Sequence, residues 1–291
     1  MAKKKYSGMR WRSPVVNGIF YPDNPETLTS MLSSWGLLSG EDHPASGSAC
    51  GGQVILAPHG AWELTGNLAA AAFAAAQTGS EKNSRNINRV LLIGSRHCTY
   101  DEGIYLSESS YFETPLGEVP VDRNLNRALS SCSTQIRIND IPHLSEHSLE
   151  VLLPLVKYCF PSAKTIPIIM CGTRPALISG FSKALRIALE ESLEESLVII
   201  STNVSRNHDP ELARDMADEF QTLLGNMDTQ AFLSGLASGR ISACGGAIIG
   251  AFLESGLLYG KYFTSLCPMV CGTDDNGETL YHGAFATAML Q

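Results

Sequence analysis

Two histidines directly follow apolar runs that have the character of buried strands. His59 follows Val54–Ala57 in the segment Ala-Pro-His-Gly-Ala, and His97 follows Val90–Ile93 in Gly-Ser-Arg-His-Cys. Ligands bind beyond the carboxyl ends of strands in open α/β sheets, and strands that follow each other in sequence often lie side by side. A lone histidine after a strand is usually a packing residue, whereas two such positions favour a shared site. Paired imidazoles suggest metal binding.

A metal site needs a third ligand, and Cys244 is a candidate for it. This residue opens the glycine-rich start of a predicted helix that runs to about residue 253. A thiol at a helix N-terminus has a lowered pKa, which makes it a better ligand. Free cysteine is also commonly a small buried hydrophobe, so the spacing alone leaves both interpretations open.

The segment His143-Leu-Ser-Glu-His147 matches the H-x-x-E-H pattern of some zinc proteases. That chemistry needs both histidines on one face of a continuous helix. Pro142 precedes them, and Glu146 has the position of a helix entry, so we predict no separate zinc site here. His147 remains a candidate acid, base or substrate-facing group at the start of a helix.

Two other patterns carry weaker signals. His208-Asp209 precedes a predicted helix, and the simplest interpretation is a polar loop in which Asp209 caps that helix. Cys267 and Cys271 lie in a strand-like run, where they are expected to be core residues rather than metal ligands. No glycine-rich phosphate loop follows the first strand, which argues against a dinucleotide cofactor.

Apolar strands alternate with helical patterns along most of the chain, which predicts an α/β fold with a mainly parallel (mixed) central sheet and helices on both faces. A strand pair or irregular flap is expected over 105–121, and late strands over 262–270 and 281–289, separated by a turn at 272–277. No linker or repeat divides the chain, so we expect one domain over residues 1–291. The other predicted elements are strands at 54–57, 90–93, 166–170 and 197–200 and helices at 63–77, 149–160, 176–193 and 210–224.

Composition excludes several classes of protein. Of the 291 residues 44% are apolar and 17% are charged, which implies a large buried core rather than a disordered chain. A formal charge of −8 argues against non-specific binding to nucleic acid. There is no membrane-span pattern and no apolar secretory signal, so we expect a cytoplasmic protein whose cysteines remain thiols. The eight cysteines are Cys50, Cys98, Cys132, Cys159, Cys171, Cys244, Cys267 and Cys271.

Taken together, these short segments resemble the Memo family, called AmmeMemoRadiSam system protein B in prokaryotes. The resemblance implies a fold similar to the class III extradiol dioxygenases, which hold non-haem iron with two histidines and a glutamate. Memo proteins have a cysteine in place of the glutamate, so His59, His97 and Cys244 match the family's metal ligands. The matching segments are Arg12–Pro22, Ala57–Gly60, Ile93–His97, Tyr111–Gly117, Glu146–Glu150 with Leu153-Pro154, Ser201–Asn203 and Ala243–Gly245.

The chain departs from the family pattern at residues that would donate or accept protons during catalysis. Asn203 stands where the family usually has an aspartate, Arg206 replaces a histidine, and His208 lies two residues late. Leu152 replaces another histidine that is common in the family. Because a guanidinium stays protonated, Arg206 cannot act as a base. We therefore expect no efficient extradiol cleavage of simple catechols.

The resemblance implies a metal-binding protein. It also suggests that the metal carries out redox or dioxygenase-related chemistry. Two imidazoles and a thiolate suit iron, copper or zinc, and the resemblance favours iron. It also implies partnership with an AMMECR-domain protein and a radical S-adenosylmethionine enzyme. Glu146, His147 and Asn203 are expected beside the metal, with His147 or His208 as the acid–base group.

An alternative function is a non-enzymatic binding module that uses the same cleft for a peptide or a small anionic ligand. In that interpretation Arg96 and Arg206 would clamp a carboxylate or phosphate. Each could equally form an ordinary surface ion pair.

Overall fold

An eight-stranded mixed sheet forms the centre of the structure, a computed structural model that describes residues 9–37, 52–97, 100–274 and 276–289. The strands are β1 Trp11–Arg12, β2 Val54–Ala57, β3 Arg89–Ser95, β4 Gly103–Leu106, β5 Tyr111–Thr114, β6 Gly117–Pro120, β7 Ile136–Ile138, β8 Lys164–Cys171, β9 Ser196–Ser201, β10 Ser205–Asn207, β11 Lys261–Ser265, β12 Val270–Thr273, β13 Thr279–His282 and β14 Phe285–Met289. The helices are α1 Pro25–Ser34, α2 Trp62–Lys82, α3 Arg123–Cys132, α4 Ile141–Leu144, α5 His147–Glu150, α6 Leu153–Cys159, α7 Pro175–Leu189, α8 Pro210–Asn226, α9 Thr229–Ala237 and α10 Gly246–Ser255.

The order of the central strands is β11-β14-β2-β9-β3-β8-β4-β7. The four strands β2, β9, β3 and β8 are parallel to one another. On one side of them β14 runs antiparallel to β2, and on the other side β4 runs antiparallel to β8. The predicted mixed, mainly parallel α/β sheet is therefore confirmed. β9 lies between β2 and β3, so the two histidine-bearing strands are not adjacent, although their carboxyl ends share one edge.

Helices cover both faces of this sheet, which explains the continuous apolar strands. Val90 and Leu92 of β3 join one hydrophobic cluster, whereas Leu91 and Ile93 join the other. The alanine-rich α2 lies in the first cluster, and α7, α8 and α10 contribute to the second. Because alternate side chains of a strand point to opposite faces, a strand covered on both sides must be apolar throughout.

Two local predictions can be compared with the structure in detail. The helix expected over 149–160 is two helices, α5 and α6, and Pro154 lies in the first turn of α6. A proline there needs no backbone N–H, so it favours a new helix start. The region 105–121 holds the end of β4 and a β5–β6 hairpin, and β1 pairs with β5.

The late region forms β12 and β13, which join β10 in a small separate sheet. Because the chain leaves β11 at Ser265 and forms a new strand at Val270, Cys267 and Cys271 do not share one strand. The expectation that both are core residues was wrong, since Cys271 is exposed.

Some expectations concern residues that the structure does not cover. Cys98 lies outside the described residues. The serine- and glycine-rich stretch 39–52, whose composition predicts a surface loop, lies almost entirely outside them as well, including Cys50. Among the helices that are described, none is long and apolar enough to cross a membrane.

Candidate metal centre

The carboxyl ends of β2 and β3 and the turn before α10 bring His59, His97 and Cys244 together. His59 Nε2 lies 3.1 Å from His97 Nε2 and 3.7 Å from Cys244 Sγ. The three ligand atoms all lie within 4.8 Å of one another. Zinc bonds of about 2.0–2.1 Å to nitrogen and 2.3 Å to sulfur place tetrahedral ligand atoms about 3.3–3.6 Å apart. The cluster therefore has the dimensions of a metal site.

The tautomer of His59 is set by the strand that lies between β2 and β3. Ser201 Oγ donates to the Ser148 carbonyl at 2.6 Å, so its hydroxyl hydrogen is already used. The same oxygen lies 2.8 Å from His59 Nδ1 and must accept a hydrogen bond from it. His59 thus carries its proton on Nδ1, and the lone pair of Nε2 faces the cluster.

Glu146 holds His97 in the matching orientation. Its carboxylate accepts hydrogen bonds from the His97 backbone N–H and from Nδ1, both at 2.8 Å. The carboxylate also accepts from Ser148 N and so caps α5. Burial alone would lower the pKa of His97, but the hydrogen bonds and charges of Cys244 and Glu146 raise it to about 10. The position of His97 Nε2 thus favours a cation.

Cys244 lies in a turn that is packed tightly against β9. Burial would raise the pKa of its thiol, yet the electrostatic interaction with His59 and hydrogen bonding to His59 and His97 lower it well below its usual value. The Asn203 backbone N–H also donates to Sγ at 3.0 Å. Gly245 permits this approach, since a Cβ there would lie 2.7 Å from the Thr202 Cβ and 3.2 Å from the Ser201 carbonyl oxygen.

Asn203 connects the cluster to His282, a residue that the motifs did not indicate. The Asn203 side chain donates through Nδ2 to the His59 carbonyl at 3.1 Å. Its Oδ1 lies 2.9 Å from His282 Nδ1 and can only accept, so His282 is protonated on Nδ1. His282 is 5% exposed and lines the cleft from β13. The pairing of β13 with β10 places His282 beside the cluster. The sequence around His282 contains no motif that predicts this position.

His147 lies beside the same cluster at the start of α5. Its ring centroid is 4.7 Å from that of His97 and 5.6 Å from that of His59. Burial and then the neighbouring imidazoles lower its pKa to about 4, and burial does the same for His282. Both flanking rings are therefore neutral bases at physiological pH. His143 is fully buried with Nε2 on the Tyr105 carbonyl, so it forms no zinc site with His147.

The three remaining predicted residues lie away from the ligand atoms. Arg206 lines the outer cleft but pairs with Asp274 at 2.6 Å and with Glu278. His208 is exposed on the rim, 3.7 Å from Glu278. Arg96 donates to the Pro142 carbonyl and lies over the Tyr100 ring.

A buried ion pair between Arg12 and Glu150 stabilises the position of α5. Arg12 pairs with Glu150 and donates to the carbonyls of His143 and Glu146. Glu150 in turn accepts from the backbone N–H groups of Val15 and Val16. These hydrogen bonds hold residues 12–16 against the segment that carries Glu146 and His147.

The cluster lies in a cleft of about 460 Å³, large enough for a small molecule. Phe20, Leu64 and Leu280 supply apolar wall, while His147 and His282 supply ring nitrogens. The arrangement combines a soft His/His/Cys donor set with two neutral imidazoles in a partly apolar space. Such a donor set fits Fe(II), copper or zinc.

Fold and cluster together define an α/β protein with a His/His/Cys group that could hold a metal ion. Residues 12–265 match the model of one protein family, described as Memo-like protein. The chain therefore belongs to the Memo-like family.

Curated relatives named MEMO1 family protein are similar over most of their length. The protein of Aeropyrum pernix is 28% identical over 259 residues, which cover 87% of this chain and 90% of the relative. That of Desulfurococcus amylolyticus is 26% identical, covering 84% and 87%. That of Thermotoga neapolitana is 25% identical, covering 96% and 99%.

Proposed function

We propose that this chain binds one transition-metal ion through His59 Nε2, His97 Nε2 and Cys244 Sγ. The observation that carries the proposal is the convergence of two imidazole Nε2 atoms 3.1 Å apart. Ser201 holds the Nδ1 proton of His59, and Glu146 accepts the Nδ1–H of His97. Partners of this kind fix the tautomer of ligand histidines in metal sites. A metal ion bound to both Nε2 atoms would replace the proton that the raised pKa of His97 keeps at this position.

We further propose that the ion is iron and that the cleft carries out metal-dependent redox chemistry on a small substrate. A bound ion of this kind would supply Lewis-acid or one-electron chemistry. The chain would supply two neutral imidazoles, because Nε2 of His282 and the ring of His147 can accept a proton from a substrate. Phe20, Leu64 and Leu280 would exclude water from its apolar part.

Elemental analysis of untagged protein purified without oxygen tests the metal proposal. We expect about one metal ion per chain, and we expect a Cys244→Ser variant to lose most of it. Cys271→Ser is the matched control, because that cysteine is exposed on β12. Equal metal content in Cys244→Ser and wild-type protein would refute the ligand assignment. Oxygen uptake by the iron-loaded protein then tests the redox proposal separately.

The alternative function, a non-enzymatic module in which Arg96 and Arg206 bind an anion, has less support than the metal site. Arg206 already faces two carboxylates, so an anionic ligand would have to compete with Asp274 and Glu278. Arg96 is directed toward the Pro142 carbonyl instead of the cleft. We propose the partnership with an AMMECR-domain protein and a radical S-adenosylmethionine enzyme from the family resemblance, whereas the proposed cytoplasmic location comes from the sequence pattern. Co-purification with tagged candidates from the native host would test the partnership.

A further inference from the structure

A second cavity lies near the β4–β7 edge of the central sheet. Its volume is about 600 Å³, and it shares no lining residue with the cleft of the metal cluster. Helix α3 and the segment after β4 provide most of its walls. The lining residues are Met9, Arg10, Ser107, Glu108, Arg123, Asn126, Arg127 and Ile138.

The cavity is cationic in a chain that is acidic overall. Three arginines and one glutamate line it, whereas the whole chain carries a formal charge of −8. Arg10 pairs with Glu108. Arg123 and Arg127, one helical turn apart on α3, form no ion pair among the described residues, and Arg127 makes only a 3.4 Å contact with Asn124 Oδ1. Two guanidinium groups therefore remain available to an anion.

Asn126 provides an independent sign of a ligand. Its side chain is buried, with 1% exposure, although it lines the cavity. Nδ2 donates to the Ser107 carbonyl at 2.9 Å, which fixes the orientation of the amide. Oδ1 is buried and has no hydrogen-bond partner among the residues that the structure describes. An unpaired buried acceptor is unfavourable, so this position calls for an N–H or O–H donor.

A second acceptor lies beside it. Ser107 Oγ donates to Asp140 Oδ1 at 2.6 Å and accepts from the Ser109 backbone N–H at 3.0 Å, so one lone pair is its remaining hydrogen-bonding capacity. The buried part of the cavity thus offers acceptors, while Arg123 and Arg127 offer donors with positive charge. A complementary ligand has donor groups at one end and an anion at the other.

We propose that this cavity binds a small anion that carries hydroxyl groups, of the sugar phosphate class. The guanidinium groups of Arg123 and Arg127 would bind the phosphate, since their planar fork of N–H groups matches its oxygens. The hydroxyl groups would donate to Asn126 Oδ1 and Ser107 Oγ. The site is independent of the metal cluster and of the function proposed for it.

Isothermal titration of the full chain at constant ionic strength tests this proposal with three probes. Ribose 5-phosphate should bind with a stoichiometry of one, inorganic phosphate roughly tenfold more weakly, and ribose without measurable heat. Equal affinity for ribose 5-phosphate and inorganic phosphate would overturn the role of Asn126. Absence of heat with both anions at millimolar concentration would overturn the site.

Variants separate this cavity from general surface charge. Arg123→Gln and Arg127→Gln should each weaken binding of ribose 5-phosphate roughly tenfold. Both arginines are exposed on α3, so the fold and the metal content should not change. Arg214→Gln is the matched control, since Arg214 is exposed on α8, which packs beside β11 at the opposite end of the central sheet from β4 and β7. An equal loss of affinity in Arg214→Gln would show non-specific attraction and refute the proposal.

Discussion

Glu146 is the residue on which the orientation of His97 depends. Its carboxylate accepts from both the backbone and the ring of His97, each at 2.8 Å. Glu146→Gln keeps the size of the side chain but loses the charge, and we expect metal affinity to fall about 10–100-fold. A competition titration with a chromophoric zinc chelator measures this. Glu254→Gln, exposed on α10, is the control, and unchanged affinity in Glu146→Gln would contradict the prediction.

His143 should make the protein acid-sensitive. The pKa of His143 is lowered from 6.5 to about 4, mainly by burial. The positive charge of Arg12 also lowers this pKa, whereas the negative charges of Asp140 and Glu146 oppose the shift. Protonation then favours the unfolded chain, so stability present above pH 6.5 is lost as the pH falls toward 4.

The loss at His143 amounts to about 3 kcal/mol for a shift of this size. His143→Gln cannot take up that proton, so its unfolding free energy in urea should fall less between pH 7 and 4. His208→Gln, at an exposed histidine on the rim of the cleft, is the control. Parallel pH profiles for wild type and His143→Gln would refute the assignment.

Catechol cleavage depends on which residue can move a proton at the cleft. Arg206 stays charged and is held by Asp274 and Glu278, so it cannot serve as a base. The imidazoles of His147 and His282 line the cleft, but their pKa values are lowered to about 4, which makes them weak bases. Loss of general acid–base help costs about 10²–10⁴ in rate. We therefore expect iron-loaded protein to consume oxygen with catechol far below about 1 s⁻¹. Faster turnover would contradict this, and a His282→Phe variant would then show whether that imidazole replaces the missing base.

At the scale of elements, the site depends on how closely α10 approaches β9. Gly245 N donates to Thr202 Oγ1 at 2.9 Å, and there is no room for a Cβ. Gly245→Ala should lower the unfolding free energy by about 1–3 kcal/mol and weaken metal binding by displacing Cys244. Gly225→Ala in α8 is the control, because a Cβ there would meet only the Phe263 carbonyl oxygen at 4.0 Å. Urea denaturation compares the two, and equal stabilities would refute the packing argument.

For the whole molecule, metal binding should contribute to stability. The three ligands come from residues 59, 97 and 244, so only the folded chain brings them together. A ligand that binds the folded state at 100 times its Kd adds about 2.7 kcal/mol, which corresponds to several degrees in Tm. We expect EDTA to lower the Tm of metal-loaded protein and to leave Cys244→Ser unaffected. An unchanged Tm for wild type with EDTA would contradict the prediction.

The sequence by itself determined the fold class and the residues that cluster. Short, continuously apolar runs identify strands such as 54–57 and 90–93, because strands buried on both faces must be apolar throughout. A polar residue directly after such a strand then stands at the sheet edge, as His59 and His97 do. The resemblance to the Memo family added Cys244, whose local sequence alone did not distinguish a ligand from a core thiol.

Only the tertiary structure decided what surrounds these ligands. β9 inserts between β2 and β3, ends at Ser201 and leads directly to Asn203. β13 brings His282 Nδ1 to within 2.9 Å of Asn203 Oδ1. His208 appeared in the sequence to be close to the site, yet it lies exposed on the rim. The order of strands and the pairing of a distant hairpin arise from long-range packing. Local periodicity reports which face of an element is buried, but it does not report which other element covers that face.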